Sequence, residues 1–207
     1  MGKAGSTRER ILDEGLAMTS KSGLESVTLG SLAERVGMSK SGLFAHFKSK
    51  EEVQIRLLEH SGTLAAEQVL APAMRQPAGL PRLKTLVKHW LGWAPRAGLP
   101  GGCPVAAGLF EYDDVEGPVR DKVAEMEAGW TGLLTQTVSE ARSLGHVRAD
   151  LDVDQFVWEL CGIYLSHHVA QRFLKSPDTD RRARIAFEAL LARAMPDSKN
   201  SPKKHRK

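Results

Sequence analysis

Thr28, Ser39, Lys40, Ser41, His46 and Lys50 fall within one short stretch, TLGSLAERVGMSKSGLFAHFKSK (28–50), and every one of them carries a group that phosphate oxygens accept from. Hydroxyls at helix N-termini, with lysine charges beside them, are the parts of an anion site repeated along a phosphodiester backbone. Lys40 also has the reach for a guanine edge. His46 suits a backbone contact, whereas Gly42 and Ala45 offer only main chain and a methyl, fit for close approach or a thymine methyl group.

Such groups act together only if a rigid scaffold holds them on one side. Leu32, Ala33 and Val36 recur as the apolar face of one helix, Gly37-Met38-Ser39 makes a turn, and Leu43 and Phe47 give a second helix its matching face. Gly37 can end the first helix in the left-handed conformation, and Ser39 is placed to cap the second. Lys40, Ser41, Gly42, Ala45 and His46 stay free. The pattern predicts a helix-turn-helix whose second helix enters the major groove of duplex DNA.

With a helix before it and Phe47 and Lys48-Ser49-Lys50-Glu51-Glu52 at its end, VTLGSLAERVGMSKSGLFAHFKSKEE resembles the N-terminal module of the TetR family of bacterial one-component repressors. The resemblance implies an all-α protein: an N-terminal three-helix helix-turn-helix DNA-binding domain followed by a larger helical ligand-binding and dimerisation domain. It implies double-stranded operator DNA, a second copy of the chain and a small-molecule effector as partners. Two positions depart from the family pattern. Gly42 stands where a small hydroxyl residue is common, and Phe44 stands where tyrosine is usual, so Phe44 brings no phenolic hydrogen bond to phosphate.

At 207 residues the chain exceeds one typical domain of roughly 100–150 residues. The net charge of +4 is unevenly spread: residues 1–50 hold eight Lys/Arg against five Asp/Glu, and residues 196–207 hold five against one. The intervening 145 residues are therefore three charges negative, which places the nucleic-acid surface outside the body. Neither an apolar membrane span nor a signal core appears, so a cytoplasmic location is expected. Cys103 and Cys161 lack CxxC spacing and fit a reducing compartment without a zinc site.

Helical signals run the length of the chain. Ser6 with Glu9, and Ser49 with Glu52, read as capping boxes opening the first and fourth helices, and Thr28 caps the second. The fourth helix is expected from about Lys50 to Leu70, stopped by Pro72. Later helices are expected at roughly Leu80–Trp93, Pro104–Tyr112, Glu116–Leu144, Val153–Leu174 and Asp178–Met195. The domains follow as a DNA-binding unit at 1–50, an effector-binding and dimerisation unit at 51–195, and a basic tail at 196–207. That tail lacks an apolar anchor and is expected to be disordered, adding phosphate affinity or only solubility.

Phe156, Leu160, Ile163 and His167 continue through Ala170 and Leu174 as one helical stripe, with Val157, Cys161, Tyr164 and His168 beside it. The next helix offers Phe187, Leu190 and Leu191. Periodicity alone fits a monomer core or a four-helix dimer interface; the family resemblance, in which the last two long helices usually dimerise, favours the interface. A dimer would set two recognition helices about 34–36 Å apart, one duplex turn.

Trp90, Trp93, Phe110, Tyr112, Trp130 and Trp158 are spread through helices that could enclose an apolar cavity, and the resemblance implies an effector pocket there; core packing is the plain alternative for each. Gly101-Gly102-Cys103-Pro104 resembles a subset of these regulators. Cys103, near a helix N-terminus, is either a thiol of lowered pKa that senses oxidants, giving a redox-responsive regulator as the alternative function, or a small buried residue. Glu111, Asp113, Asp114 and Glu116, with His89, His167 and His168, suggest metal chemistry only weakly, because the acids can serve as caps and the adjacent histidines point to different helix faces. No nucleophile with its base and no phosphate-binding glycine loop appears, so neither an enzyme nor a cofactor is expected. The expected mechanism is repression relieved when a ligand in the body alters the spacing of the recognition helices, with the fourth helix as lever.

Overall fold

The computed structural model describes residues 6–196, so the basic tail lies almost wholly outside the described residues. Three helices form the N-terminal module: α1 (Thr7–Ser22), α2 (Leu29–Val36) and α3 (Lys40–Phe44). Ile11, Leu16, Leu32, Leu43 and Phe47 are at most 2% exposed and form its core, each contributing about 1.5–3 kcal/mol by leaving water. Ser6 and Glu9 complete a reciprocal capping box at α1, and Thr28 with Ser31 does the same at α2. Gly37 closes α2 in the left-handed region at φ 69°, and the Met38 N–H reaches back to the Ala33 carbonyl at 2.9 Å. That closure sets the sharp turn into α3, where the Ser39 hydroxyl accepts the Gly42 N–H at 3.1 Å.

The body contains α4 (Lys50–Ala65), a π-helical turn (Ala66–Leu70), α5 (Ala71–Met74), α6 (Leu80–Trp90), α7 (Trp93–Arg96), α8 (Pro104–Glu111), α9 (Pro118–Ser143), α10 (Val153–Arg172) and α11 (Thr179–Ala194). Every regular element among the described residues is helical. Helix α4 joins the two parts, packing on α1 at one side and on α8 and α9 at the other. Helices α10 and α11 pack on each other, with α9 behind α10. No described helix is long and apolar enough to cross a membrane.

Three expectations about elements need correction. Pro72 does not stop the fourth helical stretch, which runs on to Met74 through the π turn. Proline removes a backbone donor and crowds the carbonyl one turn back, and a widened i→i+5 turn directly before it absorbs both effects. The stretch Leu80–Trp93 is broken after Trp90, because Gly92 takes φ 67° and redirects the chain into α7. At α4, Ser49 caps the Glu52 N–H, but the Glu52 carboxylate accepts from the Lys48 N–H, one residue earlier than a capping box requires.

The stripe assigned to dimerisation is mostly used inside the protomer. Phe156, Leu160, His167, Phe187, Leu190 and Leu191 are buried, and Ile163 is partly buried beside them. They fill the seam of α10 with α9 and α11. Of the stripe, Leu174 stays open at 63% exposed, and the rest of the open apolar surface belongs to other registers: Trp158 is 73% exposed and Phe173 83%, with Val169 and Ile185 also exposed.

Candidate nucleic-acid interface and ligand cavity

Thr28, Ser39, Lys40, Ser41, Phe44 and Ala45 are exposed, and Gly42, His46 and Lys50 are partly exposed. Thr28, Ser39 and Ser49 all use their oxygens to accept helix N-terminal amides, which fixes each hydroxyl group in place. Ser39 and Ser41 hydroxyls lie 3.1 Å apart at the start of α3. The Lys40 stem runs over α2 close to Gly30, where an added Cβ would stand 3.3 Å from its Cε. Sequence reading missed Arg8. Its guanidinium donates to the His46 carbonyl at 3.1 Å and lies 4.7 Å over the Phe47 ring, tying the end of α3 to α1.

Lys50 is not a free charge. Its ammonium is 2.7 Å from Glu25 Oε2, and Glu25 Oε1 accepts the Tyr112 hydroxyl at 2.6 Å. Lys50 foremost, and then Tyr112, hold the Glu25 carboxyl below its usual range, while burial and Glu25 push the Tyr112 hydroxyl up. Next to this group, Glu111 Oε2 accepts the backbone N–H groups of Leu24 at 2.8 Å and Glu25 at 3.3 Å. The Gly102 N–H donates to the Ser20 carbonyl at 2.9 Å, and Arg172 donates to the Lys21 carbonyl at 3.1 Å. The body thus supplies partners for the backbone groups at the end of α1 and the following turn.

These contacts correct the reading of the acidic cluster. Glu111 binds a turn 87 residues away in sequence. Asp114 caps no helix: its N–H donates to the Asp113 carboxylate, and α9 begins after Gly117 with no side-chain cap. His167 pairs with Asp180 at 2.7 Å. Among the described residues no three His, Cys, Asp or Glu side chains are grouped so as to hold a metal ion.

A cavity of about 250 Å³ lies between α4, the π turn, α8, α9 and α10. Trp90, Trp93, Trp130 and Cys103 line it; Phe110, Tyr112 and Trp158 do not. Phe110 is 57% exposed and Trp158 faces outward, because each sits on the side of its helix away from the cavity. Sequence reading missed Tyr164, Met126, Glu127 and the wall formed by Ala66, Val69 and Leu70. Trp90 stacks on Tyr164 with ring centres 4.1 Å apart, and the Trp93 indole donates to the Tyr164 hydroxyl at 3.1 Å. Trp130 tilts against Trp90 at 4.8 Å, yet its own indole N–H is buried with no acceptor.

Burial pushes the Cys103 thiol up, outweighing the lowering by the Ala106 backbone at the start of α8. Of the two readings of Cys103, this fits the small buried residue and goes against the thiol of lowered pKa. Cys161, in the same wall, is pushed up to about 11 by burial and by Glu127. Burial likewise raises the Glu127 carboxyl.

Residues 11–57 match the family described as "Bacterial regulatory proteins, tetR family", and residues 79–187 match "Tetracyclin repressor-like, C-terminal domain". The nucleoid occlusion factor SlmA of Cronobacter sakazakii is 26% identical over 181 residues, spanning 86% of this chain and 90% of that protein. The TetR-family regulator of Cytophaga hutchinsonii superposes with a TM-score of 0.80 at 19% identity, covering 94% of this chain and 98% of that one. AibR, solved with isovaleryl coenzyme A and operator DNA, superposes at 0.68 with 22% identity, covering 88% and 95%.

Proposed function

The chain belongs to the TetR family of DNA-binding transcriptional regulators, and on that footing we propose a homodimeric repressor that leaves its operator when a small molecule fills the cavity. One observation supports the coupling above all: α8 contributes Val105, Ala106 and Leu109 to the cavity wall, and its last residue, Glu111, binds the Leu24–Glu25 turn. A ligand that moves α8 also moves the support of the DNA module. Helix α4 gives a second connection, since Ser61, Gly62 and Ala65 line the cavity while Lys50 at its other end meets Glu25. That AibR was solved with both a coenzyme A ester and operator DNA is consistent with two such sites on one chain.

On the DNA side, α3 enters the major groove with Ser41 leading, while Thr28, Ser39, Lys40 and the α4 N-terminus meet phosphates. Two copies associate through the outer faces of α10 and α11, where Trp158, Val169, Phe173 and Ile185 are open. The cytoplasm, where such DNA lies, is the corresponding location. For release, the ligand must bind the non-operator conformation more tightly than the operator-bound one; equal affinity would shift nothing.

Selection of bound duplexes from a random pool, followed by a screen for small molecules that release them, tests this reading. The expected result is a two-fold symmetric site released by a cavity ligand. Failure to enrich any duplex at low salt would overturn DNA binding, and release that persists with a filled-in cavity would overturn the coupling.

A further inference from the structure

Building on the reading of this cavity as the effector site, we infer that its ligand is a compact lipophilic cation, an amine or quaternary ammonium that also carries a hydrogen-bond acceptor. Four aromatic side chains, Trp90, Trp93, Trp130 and Tyr164, contribute to the wall. Ring faces are electron-rich and attract cations, most strongly where water is excluded. Glu127 is the single carboxylate in that wall, and no Lys, Arg or His joins it there. Nor does Glu127 form an ion pair among the described residues.

Charge decides between ligand classes. An anionic ligand would meet Glu127 with no compensating cation in the wall. A neutral ligand would leave the carboxylate desolvated and without a counter-charge, which burial already disfavours. A cation satisfies the carboxylate and the rings together. The acceptor requirement comes from a different atom: the Trp130 indole N–H is buried without a partner, an arrangement that a ligand oxygen would complete. Size sets a third limit, because about 250 Å³ falls below the roughly 300–1,000 Å³ typical for drug-sized ligands.

Four probes of nearly one shape separate these terms when titrated into the full-length protein and followed by tryptophan fluorescence. They are choline phenyl ether, its neutral carbon isostere 3,3-dimethylbutyl phenyl ether, trimethyl(3-phenylpropyl)ammonium, which lacks the ether oxygen, and 4-phenoxybutanoate. Choline phenyl ether is expected to bind about tenfold more tightly than the neutral isostere, with the anion weakest. Glu127→Gln is expected to reduce that preference severalfold while retaining the neutral compound, the remainder coming from the rings. The ether oxygen is expected to add about fivefold, an increment lost in Trp130→Phe. A cation no tighter than its isostere, or a preference undiminished in Glu127→Gln, would overturn the inference, as would failure of all four to bind. Equal affinity of the two cations would overturn the acceptor requirement. Cation-selective binding without release of operator DNA would support the ligand class and count against the effector reading.

Discussion

Glu111 on α8 accepts the backbone N–H of Leu24 at 2.8 Å, so a carboxylate of the body completes a turn of the DNA module. The bond spans the boundary that composition places near residue 50. An amide left without that acceptor would have to find water or stay unpaired, which costs about 1–3 kcal/mol when buried.

Replacing Glu111 therefore tests how firmly the two parts are joined. Glu111→Ala is expected to lower stability by about 1–2 kcal/mol, and Glu111→Gln, which keeps an acceptor oxygen, by less. Gly23→Ala should behave like the alanine variant or worse. Its Cβ would sit 1.8 Å from Glu111 Oε1, and its φ of 86° disfavours any side chain. Urea unfolding gives the values; wild-type stability in Glu111→Ala would show that the bond contributes nothing.

Lys40 and Lys50 are expected to differ in a salt titration of operator binding. Lys40→Ala should reduce the magnitude of the log–log slope by about 0.9, the increment for one phosphate contact on duplex DNA. Lys50→Ala should reduce it less, because Glu25 already neutralises part of that charge at 2.7 Å. Glu25→Gln should then strengthen binding at low salt. Equal slope changes for the two lysines would contradict this ranking.

His168 gives a pH dependence of definite sign. Burial, followed by Arg172 and His167, lowers its pKa from 6.5 to about 4. Below pH 6.5 the unfolded chain takes up a proton that the folded chain resists, so stability is full above that value and declines as pH falls toward 4. Allowing for partial exposure, the loss is about 1–3 kcal/mol. Denaturation curves at pH 7.5, 6 and 5 should show the decline in wild type and a shallower one in His168→Gln; superimposable profiles would refute the assignment.

Trp158→Glu probes the open face of α10. The side chain is 73% exposed, so the protomer should keep its fold while losing its mate. Sedimentation should then report a monomer, and operator affinity should fall by at least about tenfold as one of two half-sites is lost. A dimer persisting at micromolar concentration would exclude this face.

The DNA module was legible because its signals are local: caps three residues apart, a left-handed glycine and a 3.6-residue apolar period all lie within one short segment. Helix α10 was harder. It carries apolar side chains on several faces: Phe156 and Leu160, four residues apart, are buried, whereas Trp158 and Val169, eleven residues apart and so also close to one face, are not. Periodicity reports that a face is apolar and leaves open what covers it. The break at Gly92 was hidden for a related reason, since the flanking Trp90 and Trp93 continue the apolar pattern across it. Contacts such as Glu111 with Leu24 have no local signature; they exist only after α8 has been placed against the end of α1.

The two glycines before Cys103 acquire a mechanical meaning from that placement. A methyl group at position 101 would stand 1.6 Å from the Ser20 carbonyl oxygen, inside its van der Waals surface. Backbone meets backbone there, and any larger residue would act as a wedge. Substitution at this point should tilt the reading head while every side chain that faces the duplex stays chemically intact, so operator recognition can be lost by a change that never touches nucleic acid.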